Sequence, residues 1–393
     1  MRTAAWLGLL AGLAGCARSV PPAAPAARPP DWSAAARALD SAVAGGAAPG
    51  AVLAISLGGQ HFFHAAGRLG LADSARPDSI TLYDLASLTK VIALTTMVQL
   101  LVEEGRLDLD SPASRYVPAF GSGGRDAVTL RHLLTHSSGL PPWRPLHLQS
   151  ATREEALTLV DTTTLEASPG SRYAYSDLGA IVLTQVVERV TGVRLDTLVQ
   201  QRLIEPLALH QTSFLPDTSG RFRIAPTEDD PWRGRILHGE VHDENASRLD
   251  GVSGHAGLFA SARDLLVIGD WLVARWRGEQ GAESERWSRE FTRRQELPPG
   301  SSRALGWDTP SDRSSAGTRL GPEAFGHTGF TGTSIWIDPE RRLVIVLLSN
   351  RVHPTRQNPR WGPLRAVIAD RVVEGSDPAP NGNAGDEPLH RAN

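Results

Sequence analysis

Ser87 stands three residues before Lys90, and Lys90 is the only lysine in the chain. Every other fixed positive charge on a side chain is an arginine. An amine can give up and regain a proton, whereas a guanidinium stays charged, so a solitary lysine marks a place that wants proton transfer or a compact ammonium. A hydroxyl one helical turn from that amine is the minimum for an activated oxygen nucleophile, because residues at i and i+3 project from one helix face. Asp84-Leu85-Ala86-Ser87-Leu88-Thr89-Lys90 runs into an apolar stretch from Val91 to Val102 that lacks Pro and Gly and closes at Glu103-Glu104-Gly105. The pattern predicts a buried helix with Ser87 and Lys90 in its first turn. Backbone N–H groups are unpaired at a helix start and the dipole favours negative charge there, which suits a nucleophile that must stabilise an oxyanion.

Two later segments supply more of an acyl-transfer site. One is the loop Pro169 to Gly179, with Tyr175 and Asp177, leading into an apolar helix through Ile181 and Val182; the other is Ala324 to Gly332, with His327-Thr328-Gly329-Phe330, just before a hairpin. Taken in order, Ser87-x-x-Lys90, Tyr175-x-Asp177 and His327-Thr328-Gly329 resemble the three motifs of the serine β-lactamase and penicillin-binding-protein superfamily. The nearest match is the class-C-like branch, where Tyr-x-Asn and Lys-Thr-Gly are the commoner forms. Gly105 to Pro112, Leu130 to Leu140 and Gly254 to Leu265 are similar to further segments of that family, and the resemblance extends over about 35–373. Gly306-Trp307-Asp308, Gly326 to Phe330 and Asn350 to Pro354 resemble a penicillin-binding-protein-4B-like subgroup.

The resemblance implies an acyl-enzyme mechanism without cofactor or metal. Ser87 would be the nucleophile, and Lys90 either its proton acceptor or the charge that activates Tyr175. Tyr175 would hand the proton to the leaving group, and the N–H groups of Ser87 and Phe330 would form the oxyanion hole. His327, Thr328 and Gly329 would line the strand beside the substrate. Two departures bear on the substrate. Ionised Asp177 can only accept hydrogen bonds where an asparagine could donate one; it is expected either to cap the helix that follows or to contact Lys90 directly. His327 in place of lysine removes a permanent charge that would hold a substrate carboxylate, which favours small neutral esters over D-alanyl peptides or other D-amino-acid amides. The alternative function is a catalytically weak cell-wall sensor or binding module that keeps the pocket.

These residues need a scaffold drawn from both ends of the chain. Trp32 to Val43 reads as a helix, Ala51–Leu57 and Gln60–His64 as strands joined at Gly58-Gly59, Thr333–Ile337 and Leu343–Leu348 as a second hairpin, and Pro363 to Val373 as a final helix. Strands at both ends with helices between them predict an α+β fold: one antiparallel sheet built from both termini, flanking helices, and an inserted mostly helical domain. The hydrolase domain is placed at 31–375, with a polar tail at 376–393 expected to be disordered.

The amino terminus has the form of a targeting segment. Arg2, an apolar core from Ala4 to Leu13 and Leu13-Ala14-Gly15-Cys16 resemble a bacterial lipoprotein signal at 1–15, with lipidation expected on Cys16, the only cysteine, and a Pro/Ala-rich tether at 16–30. Ala17 after the cysteine points to the outer membrane. The expected partners are therefore a small-molecule or peptidoglycan-derived substrate and, through the anchor, a membrane. Net charge is −3, which recommends no nucleic-acid partner. His132 and His136 are spaced like a zinc helix, but Leu133 stands where a metalloprotease needs glutamate, so local packing is expected. His242-Asp243-Glu244 reads as a solvated or loop-fixing cluster, and His255, which could face the cleft, as a hydrogen-bonded turn residue.

Overall fold

The first strand, Gly-Ala-Val-Leu-Ala-Ile-Ser-Leu, shows no polar alternation, as expected of a strand covered on both faces. In the computed structural model, which describes residues 29–377 apart from 72, 73, 313 and the side chains of 220–222, it is the inner strand β1, Gly50–Leu57. Val52 and Ala54 face one apolar core while Ala51, Leu53 and Ile55 face another. Helix α1, Ser33–Ala44, covers the second face through Ala35 and Leu39. β1 turns through Gly58 and Gly59, both at positive φ, into β2, Gln60–Gly67. The strands β3, Phe325–Thr328, β4, Ser334–Asp338, and β5, Leu343–Ser349, complete an antiparallel sheet in the order β2-β1-β5-β4-β3. Leu53 lies opposite Leu347, so the two ends of the chain meet in the middle of the sheet. The last helix, Leu364–Ser376, joins α1 over the second core through Ile368, Val372 and Val373. Truncating any of these fully buried aliphatic side chains to Ala costs about 2–5 kcal/mol.

The inserted helices cover the other face and carry the site. Helix α2, Thr96–Glu103, continues the segment that starts at Ser87 and stops where Gly105 adopts positive φ. Between them the chain is not a uniform α-helix. Lys90 N–H donates to the Ser87 carbonyl at 3.0 Å, and Lys90–Thr95 forms a widened π-helical turn. Apolar periodicity gives no sign of this widening, which begins at Lys90 itself. Helix α3, Asp177–Thr191, packs Leu178, Ile181 and Val182 into the same core, and helix α4, Ala262–Trp276, rests on the sheet through Gly269. A Cβ at Gly269 would lie 2.5 Å from Val344 Cγ1, so the close approach of helix to sheet requires glycine there. Residues Asp31–Asp377 form one compact unit. The expected signal segment, Cys16, the part of the tether before residue 29, and the tail beyond 377 lie outside the described residues. Among the described residues no helix is long and apolar enough to cross a membrane.

Candidate active site

Ser87 is held at a strained turn. The short strand Tyr83–Asp84 pairs with Leu258–Ala260, and Ala86, the residue before the serine, takes φ +46°, a conformation that L side chains seldom adopt. Buried Asp84 fixes this turn: one carboxylate oxygen accepts the Ala86 N–H at 2.8 Å and the other the His242 N–H at 2.6 Å. One turn on, Lys90 Nζ donates to Ser87 Oγ at 3.0 Å and to the His255 carbonyl at 3.0 Å, and it pairs with Asp177 Oδ1 at 2.7 Å. An ammonium has three N–H groups and no lone pair, and here all three are committed. Burial pushes the Lys90 pKa down, but the Asp177 carboxylate and then the Tyr175 phenol outweigh it and hold Lys90 above the ordinary lysine range. Lys90 is therefore a charged donor to Ser87 in the resting site.

Asp177 opens α3 but does not cap it. The cap is Ser176, whose Oγ accepts the Gly179 N–H at 3.3 Å, which leaves the Asp177 carboxylate free to contact Lys90. Of the two roles expected for Asp177, the direct charge contact is the one present. Tyr175, two residues before it, has its ring 5.0 Å from Lys90 Nζ, and its hydroxyl is buried without a hydrogen-bond partner. An unsatisfied buried hydroxyl is costly and marks a site prepared for a group that arrives from outside.

The third motif is stitched to the nucleophile turn. Thr331 Oγ1 donates to the Asp84 carbonyl at 2.7 Å and Thr333 Oγ1 to the Leu85 carbonyl at 3.0 Å. Gly329 makes this possible: a Cβ there would lie 2.0 Å from Thr333 Oγ1 and 2.3 Å from the Leu85 carbonyl oxygen. Among the described residues neither the Ser87 nor the Phe330 N–H has a hydrogen-bond acceptor, so two amide donors remain available on the stitched turns. Thr328 ends β3 beside them. His327, on the same strand, donates Nδ1–H to the Thr328 carbonyl at 2.8 Å, which leaves Nε2 as a lone pair, buried and without a partner. Burial, then the charges of Arg303 and Lys90, hold its pKa well below the usual histidine range, so the ring is neutral.

Sequence reasoning passed over several residues that the fold brings to the same place. His136 lies beyond the end of the short helix Leu130–Leu134, at φ +55°, so it shares no face with His132. The His132 ring takes the Thr129 N–H, while the His136 ring takes the Ser176 N–H at 3.1 Å and packs 4.4 Å from the Tyr175 ring. The signal was the Leu-Leu-Thr-His segment, which resembles a family segment but whose histidines were weighed only for zinc. Arg303 lies over the rings of Tyr173 and Tyr175, 5.4 Å from each. In front of Ser87 opens a cavity of about 520 Å³ walled by Trp143, Tyr175, Asp177, Asp243 and Phe330. His242 and His255 behave as expected: His242 pairs with Glu228 at 2.9 Å, and His255 is held between Asp243 at 2.9 Å and Ser253 at 2.7 Å. Among the described residues no group of three or more His, Cys, Asp or Glu could hold a metal ion.

Comparison with known proteins agrees with this geometry. The sequence model of the Beta-lactamase family matches residues 35–370. A curated protein of Salmonella schwarzengrund (strain CVM19633), named "Putative D-alanyl-D-alanine carboxypeptidase", is 34% identical over 324 residues, covering 75% of this chain and 74% of that protein. Among solved structures, EstCE1, a hydrolase with promiscuous acyltransferase activity, superposes with a TM-score of 0.69 at 23% identity, covering 87% of this chain and 98% of the other. A class C β-lactamase from Rhodobacter sphaeroides gives 0.66 at 22% identity, covering 87% and 99%. At these identities the structural likenesses speak to the fold.

Proposed function

Since the chain belongs to the β-lactamase family and is a serine hydrolase, we propose that it hydrolyses D-alanyl peptides, related D-amino-acid amides or small esters through an acyl-enzyme on Ser87. The observation that carries this reading is the three-way commitment of Lys90 Nζ to Ser87 Oγ, Asp177 and the His255 carbonyl. The Lys90 ammonium orients the Ser87 lone pair, so the hydroxyl proton is free to leave in another direction. The uncommitted buried hydroxyl of Tyr175 relays it, accepting the serine proton as it gives its own hydroxyl proton to the leaving nitrogen or oxygen. Meanwhile Ser87 Oγ bonds to the substrate carbonyl carbon, the Ser87 and Phe330 N–H groups take the oxyanion, and the bond from the carbonyl carbon to the leaving group breaks. Water enters by the reverse path and releases the acid. D-alanyl peptides belong in this list because of the name carried by the Salmonella relative, and esters because of that carried by EstCE1.

The test is intact-mass analysis after treatment with a fluorophosphonate or penicillin. Wild type is expected to gain one adduct and Ser87→Ala none. A full-size adduct on Ser87→Ala would place the nucleophile elsewhere. No adduct and no turnover on wild type would favour a binding module instead.

A further inference from the structure

Each oxyanion donor belongs to a planar peptide unit whose carbonyl points the opposite way, so what that carbonyl touches sets how firmly the N–H is aimed. The unit that carries the Ser87 N–H has the Ala86 carbonyl, which accepts the Thr89 N–H at 3.0 Å, a bond between neutral groups. The unit that carries the Phe330 N–H has the Gly329 carbonyl. Besides the Gly332 N–H at 3.2 Å, that oxygen accepts Arg365 Nη2 at 2.6 Å. The same nitrogen donates to the Thr333 carbonyl at 3.1 Å, so one guanidinium joins the two ends of the turn. A charge-assisted bond of this kind is roughly twice as strong as a neutral one.

Arg365 stands where local preference would not put it. It is the second residue of the last helix, Leu364–Ser376, and a cation in a first turn opposes the helix dipole. Its Nε is buried with no hydrogen-bond partner, and among the described residues no carboxylate pairs with it. Burial, and then the charge of Arg351, push its pKa down to about 10, which leaves it a cation at neutral pH. The neighbouring carbonyls are held from the same end of the chain, that of Phe330 by Arg351 Nε at 2.9 Å and that of Gly332 by Trp361 Nε1 at 2.7 Å. Those two carbonyls belong to other peptide units. Among the described residues, Arg365 is thus the side chain that acts on the unit with the oxyanion donor.

We infer that Arg365 is a positioning residue for the oxyanion hole: by binding the Gly329 carbonyl it fixes and polarises the Gly329–Phe330 peptide, so that the Phe330 N–H is aimed and strengthened as a donor before substrate arrives. The inference rests on the acyl-enzyme reading above and adds a residue that acts on the reacting atoms only through this peptide. Hydrogen bonds in line polarise one another, and drawing electron density to the carbonyl oxygen leaves the amide hydrogen more positive. Charge that develops on the substrate oxygen in the transition state gains more from this than the neutral ground-state carbonyl does, so the effect falls on kcat and not on KM.

The experiment compares kcat/KM for nitrophenyl acetate with kcat/KM for its thionoester, in which sulfur replaces the carbonyl oxygen. Sulfur is a weak hydrogen-bond acceptor, so the oxygen-to-sulfur ratio reads the oxyanion donors and cancels folding yield. Loss of a whole oxyanion donor costs about 10²- to 10³-fold in kcat; Arg365→Met keeps the N–H but removes its anchor, and should lower kcat and the ratio by roughly 10- to 100-fold with KM within about twofold of wild type. Ile368→Val, which loosens the same helix without touching the turn, should leave the ratio as in wild type. An unchanged ratio in Arg365→Met overturns the inference, whether both rates are intact or both fall together, and so does a ratio that falls as far in Ile368→Val. Should Arg365→Met fail to fold, Arg365→Gln keeps an amide donor without the charge, and an unchanged ratio there is equally fatal. If wild type takes the fluorophosphonate adduct without turning the esters over, the labelling rate is compared instead, and equal rates in wild type and Arg365→Met overturn the inference. Each of these results sinks only the Arg365 assignment. Absence of any adduct and any turnover on wild type sinks the acyl-enzyme reading beneath it.

Discussion

Replacing Asp177 with asparagine isolates what the carboxylate does for Lys90. The pair is 2.7 Å apart, with the lysine side chain 4% exposed and the aspartate 20% exposed. Removing one partner of a buried ion pair costs about 3–5 kcal/mol. Asparagine keeps an acceptor oxygen for one Lys90 N–H and the site is partly open to solvent, so the lower end, about 3 kcal/mol at pH 7, is expected. That loss lowers the Lys90 pKa relative to wild type, because the carboxylate that favours the charged form is gone. In wild type the raised lysine pKa gives stability that is fully present below the unfolded lysine pKa and is lost as pH rises through the folded one. The variant loses its Lys90 proton earlier. Wild type and variant should therefore differ by a constant amount through neutral pH, and the gap should narrow on the alkaline side. Urea unfolding of both proteins from pH 7 upward measures this. Equal stability at pH 7, or a gap that widens with rising pH, would refute the claim that Asp177 holds Lys90 as an ammonium. The same geometry argues against using Asp177→Asn to supply a donor to the substrate, because the side chain faces Lys90.

Tyr175→Phe removes a hydroxyl that makes no hydrogen bond in the resting site. Its melting temperature should match or slightly exceed that of wild type while kcat falls by roughly 10²- to 10⁴-fold, the usual worth of a proton-transfer group; a large loss of stability would mean that the hydroxyl is structural. Gly329→Ala forces a Cβ to within 2.0 Å of Thr333 Oγ1 and 2.3 Å of the Leu85 carbonyl oxygen, both in the stitch between the third motif and the nucleophile turn. Turnover should drop at least tenfold, with β4 and β5 still protected in hydrogen exchange; wild-type turnover would show that the stitch does not set the position of the Phe330 N–H.

The residues to which the chemistry is assigned stood out in the sequence because their types are rare in their settings. A lone lysine on an apolar helix, a tyrosine two residues before an acidic helix start, and a glycine-rich turn before a hairpin each depart from what packing alone selects. The sheet was legible for a different reason: β1 and β5 are so apolar that only a doubly covered sheet can hold them. The choice between capping and charge contact at Asp177 was not legible. It depends on Ser176 taking the cap, and Ser and Asp are both good caps, so only the observed backbone decides. Arg303 and His136 were invisible for another reason. Each reaches Tyr175 across a large sequence separation, and neither arginine in a loop nor histidine after a short helix is unusual.

Besides His136, three nitrogen-bearing side chains surround Tyr175, and their protonation chemistry sets them apart. Lys90, buried against Asp177, is a fixed ammonium that orients the nucleophile. His327, neutral and locked by the Thr328 carbonyl, contributes a lone pair on the strand where a lysine would contribute charge. Arg303 places a fixed positive charge over the Tyr175 ring, 5.4 Å from its centroid, and off the strand that carries His327. Exchanging His327 for lysine would add a third fixed cation against one tyrosine ring, a repulsion that the neutral imidazole avoids.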